Sequence, residues 1–272
     1  MRQPRTFFAR CLLLGSFALV ALLGAACSDS ASSSAGAAAT SAPKPPRPGQ
    51  PAQPTTATPA PASSPASAKA LPRDCGSGPE LTFDDPVWEK QVRTQTVKPE
   101  GPVLKADLGK IKTMNVAEAK KNDFLDPCIV PLLTGVKGFY LAPGNLDDIS
   151  MLAKLTSVES LRLSLTKVTD LSPLSGLKKL DRLDLGRTPV KDLKPLAALG
   201  NLTELQLDQT DVEDLSPLSG MTKLEVLDIK NTRVSDLSPL KGLENLKTLY
   251  IAGSKVEDIS PVKGLSKLKI VQ

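Results

Sequence analysis

From about residue 130 onwards, the apolar residues fall into columns that repeat every 22 positions. One column reads Leu152, Leu174, Leu196, Leu218, Leu240, Val262. Others read Val158, Leu180, Leu202, Leu224, Leu246, Leu268 and Leu161, Leu183, Leu205, Leu227, Leu249, Val271. Two residues after the last comes Leu163, Leu185, Leu207, Ile229, Ile251. Val168 and Leu171 head two further columns. Five full repeats span 152–261, a looser one occupies 130–151, where Phe139, Leu141, Leu146 and Ile149 keep register, and a partial turn ends the chain. Such a period marks a repeat architecture in which no unit can bury its apolar face alone.

Within each unit the pattern changes. The L-x-L pair alternates, which predicts a short strand with leucines inward and their neighbours outward. Next comes V-x-D-L-x-P, as in "VTDLSPL" from Val168. Ser172, Ser216, Ser238 and Ser260 stand before Pro173, Pro217, Pro239 and Pro261, with Lys194–Pro195 as the variant. Serine at the N-cap and proline at the first helical position predict a short helical or 3₁₀ turn. Asp170, Asp192, Asp214, Asp236 and Asp258 precede these turns. Their carboxylates are expected to accept backbone N–H groups, a structural role rather than a metal or acid site.

The consensus L-x-x-L-x-x-L-x-x-L-x-L-x-x-T-x-V-x-D-L-x-P resembles the leucine-rich repeat, in the short class of bacterial internalins. The resemblance implies an α/β repeat solenoid, a right-handed coil with a concave parallel sheet, short 3₁₀ or helical turns on the convex side and a small helical N-terminal cap. It also implies a concave face that binds a protein partner. One departure is that Thr166, Thr188, Thr210, Thr232 and Ser254 stand where internalins place Asn. The family's Asn ladder links neighbouring turns, and these hydroxyls are expected to do part of that work. "FDDPVWEKQVR" resembles the family's helical cap, and Leu108, Ile111, Met114 and Val116 repeat the apolar spacing of a degenerate first turn. At the other end, Leu265, Leu268 and Val271 are expected to be partly uncovered, an edge through which two copies could pair.

The segments outside the repeats carry a different message. "MRQPRTFFARCLLLGSFALVALLGAAC" has a basic start, an apolar run and small residues, the plan of a secretory signal. Its end resembles the lipobox of bacterial lipoproteins, although Gly24 stands where that family prefers a larger aliphatic residue. Carried over, 1–26 is a signal peptide and Cys27 the lipidated first residue of the mature chain. The alternatives are ordinary cleavage or an uncleaved anchor. Residues 27–70 are rich in Ala, Ser, Thr and Pro, a tether with too little apolar surface to fold. That leaves 71–129 as the N-terminal cap with the degenerate repeat and 130–272 as the leucine-rich repeats. Cys75 and Cys128 remain, and in an exported chain they are expected to form a disulfide, the alternative being two free thiols.

Composition narrows the chemistry. There is no histidine, which removes His triads, His metal ligands and His acid–base catalysis. The net charge of +5 resides mostly in the signal and tether, so the folded part is near neutral and lacks the basic footprint of a nucleic-acid binder. The reading is a non-enzymatic chain with no cofactor and no metal. The alternative of an enzyme working through the aspartate column would make Asp192 and Asp214 matter for activity.

Candidate binding residues then lie where the copies disagree. The outward column between the strand leucines is Tyr140, Arg162, Asp184, Gln206, Asp228, Tyr250. Arg162 is expected to face Asp184, Arg182 to face Glu204, and Asp208 to face Lys230. Tyr140 and Tyr250 stand out as anchors for a protein or cell-surface polymer, since aromatics and Arg dominate binding hot spots. A different reading makes the chain a structural envelope spacer that dimerises through its C-terminal edge.

Overall fold

The computed structural model describes residues 74–119 and 123–272. The expected signal, tether and lipidated Cys27 lie outside the described residues. Eight short strands, β1 Thr113–Val116, β2 Gly138–Leu141, β3 Ser160–Arg162, β4 Arg182–Asp184, β5 Glu204–Gln206, β6 Val226–Asp228, β7 Thr248–Tyr250 and β8 Lys269–Val271, form one parallel sheet in chain order. Leu161 pairs with Leu183, Leu183 with Leu205 and Leu205 with Leu227, so the columns of the sequence become rungs of the sheet. A unit this short has no room for a crossover helix. Each strand returns instead through a 3₁₀ turn, as at Ser172–Leu174, Lys194–Leu196, Ser216–Leu218, Ser238–Leu240 and Ser260–Val262.

The core is a single, largely aliphatic cluster running from Leu81 to Leu265. Leu152, Leu174, Leu196, Leu218 and Leu240 are fully buried, as are Leu205, Leu207 and Leu227. Each turn covers the leucines of the one before, so burial is shared between neighbours rather than completed within a unit. Burying a leucine contributes about 1.5–3 kcal/mol.

Each turn is closed by three devices. After the strand, the backbone enters the left-handed region at Leu165, Arg187, Gln209, Asn231 and Gly253, with φ between 54° and 70°. This costs a non-glycine residue about 1–2 kcal/mol. The sheet ladder offsets it by continuing through these residues: Leu165 N donates to Gly186 O at 3.0 Å, Arg187 N to Asp208 O at 2.7 Å and Gln209 N to Lys230 O at 2.8 Å. The second device is the buried hydroxyl that follows. Thr166 Oγ1 donates to Leu163 O at 2.7 Å, and Thr188, Thr210, Thr232 and Ser254 repeat the bond. The expectation that these hydroxyls link neighbouring turns is therefore corrected. Thr is too short to reach the next turn, and its hydroxyl ties its own.

The third device is the aspartate column. Asp170 Oδ1 accepts from Ser172 N at 2.8 Å, and Asp192, Asp214, Asp236 and Asp258 do the same for the residue two positions on. The expected serine N-cap is also corrected. Ser172 is the first residue of its 3₁₀ turn with Pro173 second, and the flanking Leu171 makes no side-chain cap. The aspartate, one residue further back, supplies the oxygen that the serine was assigned.

The N-terminal end is covered as the cap pattern predicts. Helix α1, Pro86–Thr96, starts at Asp85, whose Oδ1 accepts from Val87 N at 2.7 Å, and ends at left-handed Val97. Pro86 at the first helical position fits because its missing N–H is not needed there. Trp88 is buried and meets Phe139 edge-on, ring centroids 6.2 Å apart. Met114 of β1 pairs with Phe139, so the first turn is longer than the rest. Cys75 and Cys128 form a disulfide with Cα atoms 5.3 Å apart, fastening the segment before α1 to this longer turn. At the far end Leu249 pairs with Ile270, not with Val271 as the period predicts. The last turn is one residue short, and Leu268, Ile270 and Val271 are half-buried.

Candidate protein-binding face

The outward side chains of β1–β7 line the concave side of the sheet. Tyr140, on β2, is held from three directions. Its ring lies over Gly138, where an added Cβ would come 3.1 Å from the ring and the hydroxyl, so this position excludes larger residues without adjustment. Its hydroxyl is 3.3 Å from Ser160 Oγ, to which it donates. The Arg162 guanidinium stands 5.9 Å from the ring centroid, within cation–π range. Arg162 Nε in turn donates to Asp184 Oδ2 at 3.1 Å, as the register predicts. Asp184 also accepts from Ser164 Oγ at 3.0 Å and from Gly186 N at 3.0 Å. Tyr140, Arg162, Asp184 and Gln206 join Asn115 and Arg182 around one hollow of about 420 Å³.

Asp228 and Tyr250 do not share that hollow. They form a second group around Lys230, whose Nζ lies 3.0 Å from Asp228 Oδ2 and 5.2 Å from the Tyr250 ring centroid. The Asp228 hydrogen bond is the main cause that raises the Lys230 pKa above its ordinary value. The expected single column thus separates into two clusters, one over β1–β5 and one over β6–β7.

Two cross-strand pairs differ from expectation. Arg182 is level with Glu204 in the register, yet its Nε contacts the adjacent Asp181 at 3.5 Å. Glu204 is engaged instead by Gln206, whose Nε2 donates to Oε1 at 2.6 Å. Asp208 does not bond Lys230, because Lys230 folds back on Asp228. The nearest cation to Asp208 is Arg187, at 4.0 Å. Burial foremost, then repulsion from Asp228, pushes the Asp208 carboxyl above its ordinary value.

Arg182 is the residue that sequence reasoning undervalued. Pairing it with Glu204 neutralised it on paper, while the signal that could have found it was one row away: Gln206 is two residues from Glu204 on the same face. On the convex side, hydrogen bonds from the serine hydroxyl and then the serine N–H hold Asp214, Asp236 and Asp258 below the ordinary carboxylate value. Those carboxylates are occupied in building turns.

Comparison with known proteins fits this geometry. The family model "Leucine Rich repeats (2 copies)" matches residues 156–198 and 200–242. An internalin C2 structure from Listeria monocytogenes is 30% identical, covers 70% of this chain and 93% of its own, and has a TM-score of 0.61. An internalin InlF structure from the same organism is 29% identical over 69% of this chain and 55% of its own, with a TM-score of 0.62. A leucine-rich repeat protein of Leptospira interrogans, 22% identical over 61% of this chain and 44% of its own, shares the fold at a TM-score of 0.56. A search of curated proteins finds no match. The leucine-rich repeat fold commonly mediates contacts between proteins. With the repeat period, the parallel sheet and a relative matched over nearly its whole length, the chain belongs to the leucine-rich repeat family, in the internalin-like class.

Proposed function

We infer that this is an exported protein, anchored by lipid at Cys27, whose concave face binds a protein partner. The observation that carries the reading is the fixed Tyr140. Its ring, hydroxyl and neighbouring guanidinium are all positioned before any partner arrives. A preorganised aromatic beside arginines binds at low entropic cost, which is the make-up of a hot spot. The Ala/Ser/Thr/Pro tether of 27–70 would hold this face clear of the membrane. Mass spectrometry of the mature N-terminus tests the anchor, where a diacylglyceryl mass on Cys27 is expected and an unmodified cysteine refutes it. Alanine at Tyr140, Arg162 and Tyr250 together tests the face. Surface capture of the partner should fall at least about tenfold, the effect of losing a single hot-spot residue. Unchanged capture would refute the reading.

A second reading is self-association through β8. What favours it is the half-covered Leu268, Ile270 and Val271. It predicts a dimer in solution that Leu268→Asp dissolves.

A further inference from the structure

The hollow over β1–β5 contains two arginines that are each only half used. Arg162 meets Asp184 through Nε, and Arg182 meets Asp181 through Nε at 3.5 Å. Among the described residues, no hydrogen bond engages the terminal amines of either guanidinium, and neither arginine has a second ion-pair partner. Both side chains are exposed, 53% and 64%, and both line the hollow with Tyr140. The carboxylates around them are already engaged. Asp184 takes Arg162, Ser164 and the Gly186 N–H, and Glu204 takes Gln206. Two guanidinium forks with open ends are suited to bidentate pairing with a planar carboxylate.

We propose that this hollow receives a carboxylate of a polypeptide partner, an Asp or Glu side chain seated between Arg162 and Arg182 against Tyr140. This rests on the concave-face reading above and assigns its chemistry. The rest of the face argues for a polypeptide over a uniformly anionic polymer. Over β5 and β6 the outward carboxylates Glu204, Asp208 and Asp228 outnumber the cations beside them, Arg187 and Lys230, before Lys269 on β8 restores positive charge. A continuous polyanion lying along the sheet would be repelled over β5 and β6, whereas a polypeptide can place acid over β3–β4 and neutral or basic residues beyond.

The test is an NMR titration of the full chain with a short alternating Glu–Gly peptide, its Gln–Gly counterpart and polygalacturonate. The Glu peptide should shift the Nε–H resonances of Arg162 and Arg182, and the Gln peptide should not. Arg182→Gln should weaken the Glu peptide about tenfold, the value of one charge-assisted hydrogen-bonded contact. Lys179→Gln, an equal charge change outside the hollow, should leave it unaltered. Equal binding of the Gln peptide, an unaffected Arg182→Gln variant, or tighter binding of polygalacturonate than of the Glu peptide would each overturn the proposal. The parent reading is scored separately. If the Glu peptide fails while the triple alanine variant loses its partner, the carboxylate assignment alone falls. If that variant keeps its partner, the concave-face reading falls with it.

Discussion

Asp208 shows how closely single residues on this face are balanced. Its carboxylate packs against Gly186, where an added Cβ would collide with Oδ1, and it stands near Asp184 and Asp228. Burial and like charge raise its pKa, so the folded chain holds that proton more tightly than the unfolded chain does. The associated stability is complete below the ordinary carboxylate value of 3.8 and is lost as pH rises through the raised one. Near neutral pH the ionised group is therefore a net cost. Asp208→Asn should raise the melting temperature at neutral pH, and the gain should vanish below pH 3.8. A lower melting temperature at neutral pH would mean that attraction to Arg187 and Lys230 outweighs burial. The sequence placed Asp208 on the face correctly. It could not place the competition for Lys230, because Asp228 and Asp208 both attract the same amine.

At the level of the turn, the same three closures recur with the period: the left-handed residue, the buried hydroxyl and the aspartate. The hydroxyl offers the cleanest test. Thr188 is 2% exposed, and its Oγ1 donates to Leu185 O at 2.6 Å. Thr188→Val keeps the shape and removes the donor. It should cost about 1 kcal/mol, the net value of one hydrogen bond with some penalty for the carbonyl left short. Urea denaturation measures this through a lowered midpoint at unchanged slope. No change in midpoint would mean that the hydroxyl only fills space. Turn existence, strand position and the buried leucine columns were all legible from the period, because each apolar column has a single inward place to go. The acceptor role of Asp170 was legible too, whereas the direction of the Thr bond and the failure of Ser172 to cap its turn were not. Both depend on which of two adjacent polar atoms reaches the backbone first, which spacing does not encode.

Across the whole molecule, repetition fixes the shape and deviation supplies the identity of the surface. The thirteen-residue stretch that returns from "LTKVTDLSPLSGL" onwards is occupied by closure of the coil. What remains free to vary is the row of outward positions on the strands, and there the chain has gathered Tyr140, Arg162 and Arg182 towards one end and the mixed cluster of Asp228, Lys230 and Tyr250 towards the other. The irregular turns lie at the two ends. The first is lengthened to carry Cys128 and Phe139 under the α1 cap, and the last is shortened at Ile270. Neither irregularity follows from the period. The central claim is that the concave face carries the binding. It is tested most directly by site-specific photo-crosslinking on cells, with the reactive group placed once at Gln206 on the concave face and once at Ser219 after the Ser216–Leu218 turn. The account predicts one crosslinked species of defined mass from Gln206 and none from Ser219. Crosslinking from Ser219 with none from Gln206 would contradict it.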